Sequence, residues 1–182
     1  NTGEKRIALT IEEPESVAAL NQAGIDYEAV QASHELLQKG NTAYKEGDLE
    51  TAQTLMQESL EQNPKNQSTY RALAKLQRDL GLVEDEAQTY REWIDNVPGT
   101  ATAHYMLASA LERSGNYEEA YQEVNRFLAL DQDNVRRFAM AAGQFQRLGR
   151  DDDVARVLQA WNQVAPQSAD AHRSMAEYYR RS

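Results

Sequence analysis

Gly47, Gly81, Gly115 and Gly149 stand 34 residues apart, and Pro64, Pro98 and Pro166 keep the same spacing, with Gln132 in the one slot that lacks proline. A fixed period in the range of roughly 20 to 50 residues marks a chain whose units cannot bury an apolar face alone and must stack on their neighbours. The chain is therefore expected to be a one-dimensional array with a ribbon-like core.

Blocks 33–66, 67–100, 101–134 and 135–168 align small residues at the eighth place: Gly40, Ala74, Ala108 and Ala142, with Ala176 in the segment that follows. The twentieth place reads Ala52, Glu86, Ala120 and Val154, and the twenty-fourth Met56, Tyr90, Val124 and Leu158. The glycines fall between two apolar-periodic runs, where they suit a helix end that needs positive φ, and the prolines close the second run. Each block reads as helix, glycine turn, helix. These residues resemble the tetratricopeptide repeat, whose pattern has Gly or Ala at place 8, Gly at 15, Ala at 20, an apolar or aromatic residue at 24 and Pro at 32. The resemblance implies an all-α fold, a right-handed superhelix of antiparallel helix pairs. It also implies a domain plan: an N-terminal extension and capping helix (1–32), four repeats (33–168), and a capping helix or fifth-repeat start (169–182).

The pattern departs from the family in two places. The fourth place, commonly Trp, holds Leu36, Tyr70, His104, Phe138 and His172, and the twenty-seventh, commonly Ala, holds Ser59, Trp93, Phe127 and Trp161. The aromatic residues are expected to fill the seams between repeats, and His104 and His172 to serve as packing residues. In segment 1–32, Ile7–Ile11 has some β character and Pro14-Glu15-Ser16 reads as a helix start. Ala18 lies one period before Ala52, but Gly24 and the lack of a matching proline argue against an upstream half-repeat.

No apolar run reaches the ~18 residues needed to span a bilayer, so no direct membrane insertion is expected. The chain opens on Asn and breaks off after one helix of a further unit, which reads as a piece of something longer. The absence of cysteine removes thiolate chemistry and leaves bacterial cytoplasm and periplasm equally open. No phosphate loop, dinucleotide fingerprint or nucleophile elbow is present, so no catalysis and no cofactor is expected. Asp131-Gln132-Asp133-Asn134 opens like a calcium loop but lacks its glycine, and no metal is assigned to it.

Net charge is -10, which weighs against nucleic acid. The charge is layered, however. The first helices carry nine basic residues against four acidic ones, and the turns and second helices carry five against seventeen, including Glu84-Asp85-Glu86, Glu118-Glu119 and Asp151-Asp152-Asp153. These acidic runs suit the positive end of the helix dipole. In the family the first helices line the concave groove, so the resemblance implies a basic groove on an acidic body. Arg71, Lys75 and Arg78 share one helical stripe, Arg136 and Arg147 a second, with Tyr105, Ser109, Glu112 and Arg113 between, and Asn41, Tyr44 and Lys45 on the first block. Arginine beside aromatic and small polar residues can hold a carboxylate bidentately while a ring adds apolar contact.

The expected function is therefore a non-catalytic protein-interaction scaffold of an assembly, envelope or secretion system, binding a protein or peptide with acidic residues. The family's clamp for chaperone C-termini is not supplied: its places read Leu37, Asn41, Ala72, Thr102 and Met106, or Arg71, Lys75, Met106, Arg136 and Met140. A second reading is a polysaccharide-export scaffold handling an anionic polymer. A third is a homo-oligomer formed through Met175, Tyr178 and Tyr179 of the last helix.

Overall fold

A computed structural model describes residues 26–130 and 134–181. Among them the chain is helical throughout: α1 (Tyr27–Glu46), α2 (Leu49–Gln62), α3 (Gln67–Asp79), α4 (Val83–Asn96), α5 (Ala101–Arg113), α6 (Tyr117–Leu130), α7 (Arg136–Arg147), α8 (Asp151–Val164) and α9 (Ala169–Arg181). Each helix packs on the next in sequence, and α1 also meets α3 and α5 meets α7. The odd-numbered helices thus form one layer and the even-numbered helices the other. Helix α1 begins at Tyr27, inside segment 1–32. Ile7–Ile11, the Pro14 start and the Ala18–Gly24 stretch lie outside the described residues, as do residues 131–133 of the calcium-like run.

Four turns repeat one hydrogen-bond pattern. Gly47, Gly81, Gly115 and Gly149 have φ of 85, 74, 82 and 66°. The residue after each glycine donates its N–H back into the first helix, as Asp48 does to Ala43 O (2.9 Å) and Asn116 to Leu111 O (2.8 Å). This satisfies carbonyls that the helix end leaves open. The second helices start on local acceptors or acidic turns: Asp48 caps α2 through the Thr51 N–H (3.1 Å), and Asp151, Asp152 and Asp153 open α8.

The eighth place is a close approach, as the small residues imply. A Cβ on Gly40 would lie 3.2 Å from Met56 Cγ and 3.3 Å from Ala52 O. Ala74, Ala108 and Ala142 are buried likewise, whereas Ala176 on α9 is exposed. Trp93, Phe127 and Trp161 are core residues, and Trp93 stacks on Tyr70 with ring centres 5.9 Å apart and planes 3° from parallel. The first seam is built differently. Ser59 Oγ donates to Ser33 O (2.7 Å) and lies 2.9 Å from both Ser33 Oγ and Thr69 Oγ1, and Asn66 Nδ2 donates to Ser33 Oγ (2.9 Å). His104 is buried with its Nδ1 2.5 Å from the buried Glu123 carboxylate. His172 departs from its expected packing role: it is exposed, with Nε2 2.9 Å from Pro166 O, because no further described helix covers that face of α9.

Candidate functional site

The odd-layer face gathers most of the sequence-selected residues, and side chains of consecutive helices bridge across it. Tyr44 of α1 reaches α3, where its hydroxyl donates to Asp79 and accepts from Lys75. Lys75 also pairs with Asp79 at 2.9 Å and lies 4.2 Å above the Tyr44 ring. The Tyr44 hydrogen bond, then that of Lys75, holds the Asp79 carboxyl below the usual carboxylate range. The bonds of Lys75 to Tyr44 and Asp79 hold its ammonium above its ordinary value. Between α5 and α7, Gln144 donates to Ser109 Oγ and Arg147 Nε donates to Glu112 at 2.9 Å. Tyr105 is half-buried against Phe127 (5.2 Å between rings).

Helices α3 and α5 are linked through the second layer. Arg113 of α5 pairs with Glu86 of α4 at 2.6 Å, and Arg78 of α3 approaches the same carboxylate at 3.8 Å. Glu86 is 0% exposed, in the place held by Ala52, Ala120 and Val154 in the other repeats. Burial first, then the nearby Glu86 charge, pushes the Tyr90 phenol up to about 12. The layered charge count put Glu86 on the acidic body. Its side chain instead turns to two arginines of the first layer.

The three-residue stripe on α3 divides. Lys75 turns toward α1, Arg78 toward Glu86, and Arg71 lies over the Trp93 ring at 5.2 Å. Arg71 is exposed and has no carboxylate partner among the described residues, and the same holds for the Arg136 side chain at the start of α7. Asn41 is half-buried and Lys45 exposed on the last two turns of α1. Sequence reasoning placed Glu112 between the two basic stripes without a partner, and missed Glu86, Asp79 and Gln144 as members of this face. Asp79 was counted only as charge to subtract, and Gln144 carries no charge to notice. On the other layer, Arg91 holds Glu119 with both oxygens (2.8 and 3.1 Å) and Arg150 holds Glu118 at 2.8 Å, so the acidic turns also tie neighbouring repeats. No group of three metal-ligating side chains occurs among the described residues.

The sequence profile of the tetratricopeptide repeat matches residues 37–101 and 95–135, together more than half of the chain. The chain belongs to the tetratricopeptide repeat family. Tetratricopeptide repeats mediate protein–protein interaction, and members are generally non-catalytic scaffolds. Among solved structures, the MamA protein is 20% identical with a TM-score of 0.61, the match covering 82% of each chain. A tetratricopeptide repeat protein from Parabacteroides merdae is 20% identical over 91% of this chain and 70% of its own, with a TM-score of 0.60. The first tetratricopeptide domain of Spaghetti, solved bound to the HSP90 peptide SRMEEVD, is 18% identical over 68% of this chain and 95% of its own, at a TM-score of 0.56. At these identities the likeness is one of fold. No curated protein matches the chain in sequence. Among the described residues no helix is long and apolar enough to cross a membrane.

Proposed function

We propose that this tetratricopeptide array is a protein-binding scaffold whose odd-layer face receives a partner segment carrying acidic residues. The supporting observation is the division of labour among its cations. Lys75 pairs with Asp79 on its own helix, Arg113 and Arg147 pair with Glu86 and Glu112 of neighbouring helices, and Arg78 lies 3.8 Å from Glu86. Arg71 and Arg136 are exposed and have no ion-pair partner among the described residues. A planar guanidinium left in that state suits an incoming carboxylate, and Trp93 beneath Arg71 restricts its orientation. Asn41, Tyr44, Lys45, Tyr105 and Ser109 supply hydrogen bonding and apolar contact along the same face. The HSP90 peptide of the Spaghetti complex is also acidic, but the family's clamp residues are not in place here, so the ligand is a different acidic segment.

The test is a pull-down from native extract comparing the chain with an Arg71→Glu/Arg136→Glu variant. Reversing only these two leaves the internal pairs intact. A protein retained by the first and lost by the second is the expected outcome. Identical retained sets would remove the assignment.

A further inference from the structure

A depression of about 450 Å³ opens between α7 and α9, with α8 beneath it. Its floor is the buried pair Val154 and Leu158, and its α7 wall is Ala139 and Gly143. The places of Ala139 and Gly143 are filled in other repeats by Arg71 and Lys75, or by Tyr105 and Ser109. A Cβ on Gly143 would meet no atom nearer than Arg147 Nη1 at 3.7 Å, so the hollow comes from missing side chains and not from a tight helix crossing. The exposed rim carries Asp151 and Glu177, and neither has an ion-pair partner among the described residues. Among the described residues no lysine or arginine lines the hollow, and the nearby Arg147 is held by Glu112.

An apolar floor beneath two carboxylates that have no ion-pair partner among the described residues suits a long aliphatic stem ending in a cation. We infer that the hollow between α7 and α9 is a socket for a single arginine or lysine of the bound segment, its stem on Val154 and Leu158 and its head at Asp151 and Glu177. The inference rests on the binding-face reading and gives it a polarity. The segment is acidic toward Arg71 and Arg136 and presents one basic residue beyond them, which fixes the direction in which it lies.

The socket can be probed without the partner. N-acetyl-arginine methylamide would be titrated into ¹⁵N-labelled chain, following the amide signals of Gly143, Ser174 and Glu177. The citrulline derivative, isosteric and neutral, and the norleucine derivative, apolar, serve as comparisons. The expected result is saturable shifts at these amides with arginine, weakened roughly tenfold in citrulline and in an Asp151→Asn/Glu177→Gln variant, the loss of two partly exposed ion pairs. Gly143→Leu, on a helical residue with open space, should abolish the shifts while the rest of the spectrum keeps its dispersion. Equal shifts from citrulline or norleucine, or none from arginine, would overturn the socket. Since the probe does not touch Arg71 or Arg136, that failure would leave the pull-down result standing, and a failed pull-down would leave the titration readable.

Discussion

Glu86 shows how one side chain can cross from the layer that carries it to the layer it serves. Its three counterparts are apolar, and it is fully buried, so its charge is tolerated only because Arg78 and Arg113 converge on it. Glu86→Gln should destabilise the chain by about 1–2 kcal/mol in urea denaturation, less than a wholly buried pair would lose, because both arginines can turn to water. Its role was not legible in the sequence, since a count of charge by helix does not register which way a side chain points. Asp79 and Asp48 carry a pH prediction. Both carboxyls are held below the ordinary aspartate value in the folded chain, Asp79 through Tyr44 and then Lys75, and Asp48 through its capping bonds to Thr51. A depressed folded value contributes stability that is fully present above the unfolded value and is lost as pH falls through the folded one. The urea midpoint should therefore hold above about pH 5 and drop as pH falls below about 4, and an Asp48→Asn/Asp79→Asn variant should show a flatter profile in that acid range.

The helix hairpin was the most legible element, because its glycine turn is written four times with one period. At Gly115 the surroundings leave open space and φ is 82°, so the requirement is one of backbone conformation alone. Gly115→Ala should cost about 1–2 kcal/mol in chemical denaturation, and a stability equal to the parent's would contradict the cap geometry. The links between hairpins were far less legible. Ser109 to Gln144 and Glu112 to Arg147 each join residues 35 apart, one more than the repeat, as Tyr44 to Asp79 does. The offset is the same across the Ser59 seam and the Phe127 seam, so it follows from how helix pairs stack on one another, which the pattern within one pair does not display.

Across the whole molecule, each unit leans only on its neighbours, so stability is close to a sum of local terms. Helix α9 covers one end of the core through Ala171, Met175 and Tyr178, which pack in the cluster that contains Trp161. Removing residues 167–182 should lower Tm and, in a Trp93→Phe background, shift Trp161 emission to the red. The same removal with Trp161 replaced should leave Trp93 emission nearly unchanged. Tyr179 on that helix is 57% exposed, and the described residues leave its outer face uncovered. The hydroxyl cluster of Ser33, Ser59 and Thr69 has a thermal consequence. Apolar burial loses driving force on cooling, while hydrogen bonds between hydroxyls do not draw on that source. In the cold, the seams around Trp93, Phe127 and Trp161 lose driving force, as do Leu37, Met56, Leu73 and Leu76 of the first, but the first keeps its hydroxyl bonds, so chilling should narrow the gap in stability between it and the later seams.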